Sequence, residues 1–506
     1  MKPDPHIPEP QEIELKLSLP GADPAGLAKL LSSLELFVTC EPSTQRLHNI
    51  YYDTPDQQLR RQRVALRLRR TDTLAMPQWR QTLKTSTAEP SALSRRGEWE
   101  AAVPGPALSM QALESTAWND IDPTGCLFEA LVPCFVTDFE RMTWLLRSSD
   151  VSVVEVALDI GHIAADGRLA QICELELELK SGRIAALFVL ARLVANTLAV
   201  LPFTQSKAER GFLLAQGVTS SAQRAMPPKL SQGLTRSELA QRVLQEMFGQ
   251  FTVNLNAIIQ SEDPEFVHQA RIGWRRFKSA LRLLKKLPEM ANSPNLSELQ
   301  SLISSLGELR NLEVALFETL PQLSSAYCQG DRKREASWLV MLELLTKAIA
   351  AQRQSVRNNL NAPKVGVTLL LISEWLENLS ASDRRKQSKD TSTHRWAVRR
   401  ILRLRQSLEL SLQKSGSADE EHQARILAKR LRYSIQALRD LLPRRLANSA
   451  NAQAESLQTA IGLRRDLQQV TELVAALEVD AGIADYLRGV AIGVGLANVS
   501  IQLAPK

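Results

Sequence analysis

Up to about Arg210 the chain alternates charged and apolar residues in short runs: EIELKLSL from Glu12, VALRLRR from Val64, WRQTLK from Trp79, GEWEAAV from Gly97, SVVEVALDI from Ser152 and ICELELEL from Ile172. A period of two sends alternate side chains to opposite faces, so each run predicts a strand with one charged and one apolar side. Near Asp23–Leu36 and Gly182–Leu201, leucine and alanine recur at three and four, which predicts helices. From Gly217 to Arg236 the residues GVTSSAQRAMPPKLSQGLTR include few large apolar side chains and a Pro pair, the composition of a linker.

Beyond that linker, to about Leu477, the period is helical and the residues are mainly Leu, Ala, Arg, Glu and Gln. The region repeats itself. VHQARIGWRRFKSALRLL, from Val267, matches EHQARILAKRLRYSIQAL, from Glu421, at an offset of 154 residues without a gap, and LGELRNL at 306–312 has a weaker echo in IGLRRDL at 461–467. A duplicated helical module is the expectation.

A chain of 506 residues is too long for one hydrophobic core, which fits this division. No apolar run reaches the roughly 18 to 20 residues of a membrane span, and the first residues lack a signal-peptide stretch, so the expectation is a cytoplasmic protein without membrane contact. The five cysteines are odd in number and none form a CxxC pair, which predicts free, mostly buried thiols. Charge sharpens the picture. Residues 1–225 carry 23 Lys+Arg against 27 Asp+Glu, net −4, and the remainder 39 against 28, net +11. An acidic half suits cations, and a basic half implies a polyanion.

On the first predicted strand Glu12, Glu14 and Lys16 share one side. Alone, such a side is an ordinary solvated face, but the pattern recurs in Arg67 and Arg69, in Arg80, Thr82 and Lys84, in Glu98 and Glu100, in Glu155 and Asp159, and in Glu174, Glu176 and Glu178. Closed into a barrel with charges inward, these strands would hold carboxylates and guanidinium groups in an interior too costly to leave without an ionic ligand. Carboxylates suit Mg²⁺ or Mn²⁺ and guanidinium groups fork onto phosphate oxygens, so the joint ligand is a metal-bound phosphate chain.

EIELK resembles the ExExK signature of the CYTH family, the triphosphate tunnel metalloenzymes. NIYYDTPDQQLRRQRVALRLRR, ICELELEL and SKAERGF resemble its tyrosine–aspartate and Arg-x-Arg strands, its second Glu-x-Glu strand and its closing Lys/Arg segment. The resemblance implies an α+β domain over 8–216 built on an eight-stranded antiparallel barrel tunnel. It assigns metal binding to Glu12, Glu14, Asp159, Glu174 and Glu176, and phosphate binding to Lys16, Arg67, Arg69, Lys84, Arg141, Lys207 and Arg210. Glu12, Lys84 and Glu174 are the expected catalytic residues: a carboxylate to orient water and a lysine over the phosphate. Glu98, Glu100, Glu155 and Glu178 receive no firm role. A loose phosphoryl-transfer transition state needs charge neutralisation and positioning and no protein nucleophile.

In the repeat, Arg271, Arg275, Lys278, Arg282 and Lys286 follow His268 on one helical face opposite Ala270, Trp274, Phe277, Leu281 and Leu284. The second copy sets His422, Arg425, Lys429 and Arg432 against Ala424, Ala428, Leu431, Ile435 and Leu438. A single basic face is usually only solvated, but two acid-free copies call for an anion between like charges. Further basic stretches at Arg384–Lys389 and at Arg395, Arg399, Arg400, Arg403 and Arg405 either extend the path or belong to the surface. The paired His-x-x-Arg-x-x-x-(Arg/Lys)-Arg segments, which add Arg276 and Arg430, resemble the all-α CHAD family. That resemblance implies a polyphosphate-binding domain over 235–490, after a linker at 217–234, in two halves of about 235–365 and 390–480. One departure is Asn311, where the second copy has the acid Asp466.

The leading functional expectation is hydrolysis of inorganic tripolyphosphate to pyrophosphate and phosphate, with the helical domain holding polyphosphate or tethering the enzyme to polyphosphate granules. An adenylyl cyclase, a thiamine or nucleoside triphosphatase in the same tunnel, and a non-catalytic polyphosphate scaffold stay open as alternatives. Nucleic acid is disfavoured, because aromatic residues, the usual base-stacking platforms, make up 5% of the chain.

Overall fold

The computed structural model describes residues 11–502 apart from 73–76, 87–90, 149, 219–220, 232, 380–391, 414–417 and 478; the side chains of 392, 418–419, 421–422, 457–465 and 495–502 also lie outside the description. The chain divides into two compact units, residues 1–223 with 360–374, and residues 224–359 with 375–506.

The alternating runs of the first unit form β1 (Gln11–Ser18), β2 (Ser43–Asp53), β3 (Val64–Thr71), β4 (Gln78–Ser86), β5 (Leu93–Val103), β6 (Val132–Arg147), β7 (Val153–Ala165) and β8 (Arg168–Ser181). Their order is β5-β4-β3-β2-β6-β7-β8-β1, and β1 pairs back onto β5, so eight antiparallel strands close into a barrel; a two-residue β9 (Leu201–Pro202) adds to β1. Leu15, Leu17, Val156, Leu158, Leu175 and Leu177 pack outside the wall with α1 (Pro24–Ser33) and α2 (Ala185–Ala195), around Trp144 and Phe37. Closure leaves the charged set facing inward. Lys84 on β4 reaches Glu12 on β1 at 2.7 Å although β5 separates the two strands, a contact made through the interior.

The Tyr–Asp motif also has a structural part. Asp53 is fully buried and accepts hydrogen bonds from the backbone N–H groups of Thr54, Leu59 and Arg60 at 2.7, 2.8 and 2.9 Å, clamping the turn from β2 towards β3. After β9, α3 (Lys207–Ala215) begins with a capping box in which Ser206 and Glu209 satisfy each other's backbone N–H groups. Lys207 and Arg210 therefore lie one turn apart on one face. The helix packs against β6, β7 and β8, and Phe212 joins Tyr51, Phe135 and Phe139. Gly211 permits this approach, because a Cβ there would lie 2.1 Å from the Phe135 ring.

The second unit is helical among its described residues. It includes α4 (Arg236–Gln260), α5 (Pro264–Leu284), α6 (Gln300–Val314), α7 (Arg332–Leu360), α8 (Ser392–Gln413), α9 (Ala418–Leu438) and α10 (Arg444–Ala476). The two repeat copies fall on α5 and α9, and their apolar stripes are buried, Leu281 only in part. Trp274 and Phe277 pack on Phe251 and Phe248 of α4 with ring centroids 4.9 and 5.4 Å apart. No helix among the described residues is long and apolar enough to cross a membrane. All five cysteines are free as expected, but only Cys328 is buried: Cys40, Cys134 and Cys173 are half-buried and Cys126 is exposed.

The fit of α3 generates a test. Gly211→Ala forces the Phe135 ring off its packing with Tyr51 and Phe212, and overpacking of this kind costs about 1–3 kcal/mol. The expected result is a lower urea midpoint for the barrel transition, read by tryptophan fluorescence.

Candidate metal and phosphate site

Strand register assembles the acidic end of the interior. Arg141 on β6, Asp159 on β7 and Glu174 on β8 are direct cross-strand neighbours, and two residues along lies the row of Ala157, Glu176 and Lys16. Oxygens of Asp159, Glu174 and Glu176 come within 4.8 Å of one another, a cluster of hard ligands of the kind that holds a divalent ion. Arg141 grips Asp159 with two 2.7 Å bonds and reaches Glu176 at 2.5 Å. Lys207 Nζ lies 2.6, 2.5 and 3.0 Å from Asp159, Glu174 and Glu176; Arg210 donates to Glu174 at 2.9 Å and Lys16 lies 2.8 Å from Glu176. Burial alone would raise the carboxyl pKa values. Lys16, Lys207 and Arg141 instead hold Glu176 well below the carboxylate range, and Arg141 and Lys207 hold Asp159 below it.

The opposite wall is cationic. Arg67 receives burial but retains its proton beside Tyr51, whose hydroxyl accepts from Nη1 at 3.4 Å, and Arg69 donates to Asn49 at 2.9 Å. Burial and the neighbouring charges of Arg67 and Arg141 push Arg69 down to about 10. Lys84 bridges Glu12 at 2.7 Å and Glu98 at 3.1 Å, while Glu100 accepts from Arg80 at 2.7 Å. Glu98 thus joins the interior cations, while Glu100 meets the exposed Arg80, and Glu155 and Glu178 meet Lys180 at 3.4 and 2.8 Å.

The expected five-carboxylate metal set divides. Asp159, Glu174 and Glu176 converge, but Glu12 engages Lys84, and Glu14 lies 3.3 Å from Arg96 and 3.8 Å from Lys16. The reason is register: Glu12 stands opposite Arg96 on β5, away from the Asp159–Glu174 row. Arg96 and Tyr51 were absent from the expected site. Arg96 had a legible signal, since it shares the period-two face of Glu98 and Glu100; Tyr51 had none beyond its motif.

Residues 10–212 match the CYTH domain family and residues 242–475 the CHAD domain family. The chain is a CYTH domain followed by a CHAD domain. The curated inorganic triphosphatase of Haemophilus influenzae is 34% identical over 205 residues, which are 40% of this chain and 55% of that protein, so the match spans about half the relative's length. Among solved structures, the CHAD domain of the plant Ricinus communis is 23% identical, covering 56% of this chain and 93% of its own, with a TM-score of 0.47. A putative adenylyl cyclase of Hippeastrum, with a dominant triphosphatase activity, is 19% identical over 41% of this chain and 96% of its own, with a TM-score of 0.30.

In the CHAD domain, Arg271 and Arg275 of α5 meet Arg310 of α6, and burial together with these like charges pushes Arg271 down to about 10. Gly307 makes the room: a Cβ there would stand 2.7 Å from the Arg271 guanidinium. His268 beside them is lowered by burial and by Arg310, and Arg310 itself is bonded to Glu318. Farther along, burial and the charges of Arg400 and Arg282 lower Arg430, which gathers residues from α5, α8 and α9; Lys278 is half-buried. Arg425 and Lys429 are half-buried on α9.

Two parts of the expected basic face differ. Arg276 turns into the interior, 1% exposed, where its guanidinium donates to the Gln250 side chain and the Met226 carbonyl, because it follows Arg275 by 100° around the helix. Arg432 lies 3.6 Å from Glu455 on α10, so the second copy's face is met by an acid from another helix. The side chain of His422 and the stretch Arg384–Lys389 lie outside the described residues. Close to Asn311, the first half places the fully buried Glu313, which accepts from Arg353 of α7 at 2.6 Å.

Arg141 is the sharpest structural test. Arg141→Met leaves Asp159 and Glu176 buried with fewer partners, and breaking a buried pair from one side costs about 3–5 kcal/mol. Chemical denaturation of the full chain, followed on the barrel transition, checks this loss.

Proposed function

We propose that the CYTH domain hydrolyses inorganic tripolyphosphate to pyrophosphate and phosphate, and that the CHAD domain binds inorganic polyphosphate. The observation that carries the reading is a closed barrel with three converging carboxylates and, across the same interior, the cations Arg67, Arg69 and Lys84. Asp159, Glu174 and Glu176 are the residues that would hold a divalent ion, which would neutralise phosphate charge there. Arg67, Arg69, Lys84 and Arg96 bind the phosphate oxygens, with Tyr51 available as a hydroxyl donor. Lys84, already poised on Glu12, covers the transferred phosphoryl group, and Glu12 or Glu174 orients the water that attacks the terminal phosphorus as the bridging oxygen departs with pyrophosphate. In the helical domain, the crowding of Arg271, Arg275 and Arg310 favours a polyanion that separates like charges.

Phosphate release from tripolyphosphate, ATP and thiamine triphosphate tests the catalytic half directly. Release should be fastest from tripolyphosphate, require Mg²⁺ or Mn²⁺ and stop with chelator, and Glu174→Gln should lower kcat by about 10²-fold or more in a protein with unchanged circular dichroism. Faster release from either of the other substrates would overturn the substrate assignment.

For the helical half, Arg271→Ala with Arg275→Ala should weaken long-chain polyphosphate binding by about 1.5–3 kcal/mol per lost charge-assisted contact. Tripolyphosphate hydrolysis should be unchanged. A titration at several salt concentrations with duplex DNA as competitor is the measurement; preference for DNA would sink the reading.

A further inference from the structure

Lys207 stands in an unusual relation to the acidic cluster: its one ammonium group touches all three carboxylates, at Asp159 Oδ2, Glu174 Oε1 and Glu176 Oε1. The other oxygens are held separately. Arg141 anchors Asp159 Oδ1 and Glu176 Oε2, and Arg210 anchors Glu174 Oε2. Asp159 Oδ2 is shared with Arg141 at 2.7 Å and Glu176 Oε1 with Lys16 at 2.8 Å, so withdrawing Lys207 would remove one cation contact from each carboxylate while Arg141, Lys16 and Arg210 keep all three oriented. Its flexible stem, rooted at the first residue of α3, allows that movement without moving the helix, whereas the forked Arg141 is committed to its geometry.

Charge makes the withdrawal conditional. Glu14, Asp159, Glu174 and Glu176 face Lys16, Arg96, Arg141, Lys207 and Arg210, four acids and five bases all at most 19% exposed. A set whose acids are already matched gains little from a further cation unless an anion arrives with it.

We propose that Lys207 is an exchangeable internal cation: it neutralises the carboxylate cluster until a divalent ion enters with the triphosphate, and it then passes from the carboxylates to the phosphate oxygens. The proposal rests on the reading of the tunnel as a metal–triphosphate site. Lys207 thereby joins a role in holding the empty cluster to one in binding substrate. By linkage, metal and triphosphate must raise each other's affinity by the same factor, and Lys207 is the residue that carries part of that coupling.

The test is Mn²⁺ binding to the full chain, followed by the electron paramagnetic resonance of the free ion, with and without the non-hydrolysable imidotriphosphate. The wild type should bind Mn²⁺ about tenfold more tightly with the analogue than without it. Lys207→Met should bind Mn²⁺ alone about tenfold more tightly than the wild type, and the analogue should add less, because the competing cation is gone. Lys207→Gln, which keeps a hydrogen-bond donor, serves if the methionine variant does not fold. Equal or weaker Mn²⁺ binding by the folded variant, or a wild-type affinity indifferent to the analogue, overturns the exchange while leaving the metal site intact. No Mn²⁺ binding by the wild type even with the analogue overturns the tunnel reading together with it.

Discussion

Everything in the barrel interior depends on compensating buried charge. Asp159 and Glu174 are wholly removed from solvent, a position that an ionised carboxylate holds only when cations and hydrogen bonds meet it from several sides. The rest of the architecture supplies those partners. Register sets Arg141 beside Asp159, closure brings β1 and its Lys16 alongside β8, and the capping box of α3 starts the helix where Lys207 and Arg210 reach the cluster. Gly211 belongs to the same logic, because it lets the helix that carries both cations pack close against Phe135.

The two domains treat charge in opposite ways. In the barrel, acid-rich strands face base-rich strands, and acids and bases meet throughout the interior, with Arg69 crowded by Arg67 and Arg141. In the helical domain, Arg271, Arg275 and Arg310 crowd together and outnumber Glu318, the acid bonded to Arg310, and the half-buried Arg430 feels Arg282 and Arg400. Balanced charge suits a ligand that brings both signs, a metal with a phosphate chain. Unbalanced charge suits a bare polyanion. The proposed functions of the two domains follow from that difference, and a metal-bound short chain and a free long chain are chemically related ligands.

Much of this was legible along the chain because period and charge are local properties. Alternation in EIELK, VALRLRR and ICELELEL marked the strands and which side of each carries charge, and the 154-residue repeat marked the paired helices α5 and α9 with their apolar stripes. Residues two apart on one strand share a face whatever the fold, so Glu174 with Glu176, and Arg67 with Arg69, needed no tertiary information. The same rule would have included Arg96.

Tertiary structure decided which charges meet. Glu12 and Glu14 belong to the same alternation as the metal-cluster carboxylates, yet β1 enters the barrel in a register that hands them to Lys84 and Arg96. Arg276 and Arg275 are neighbours in a basic run, but one lies against Gln250 in the core and the other on the surface, since a helix turns by 100° per residue and α4 covers only one side. Glu455, far along the chain from Arg432, comes beside it only when α9 and α10 pack. The amino-acid sequence by itself determined the elements, their charged faces and their families, because these rest on spacing within a segment. The pairing of each acid with its base rests on contacts between segments 18 to 160 residues apart, from Arg141 and Asp159 to Lys16 and Glu176, and only closure of the barrel and packing of the helices could settle it.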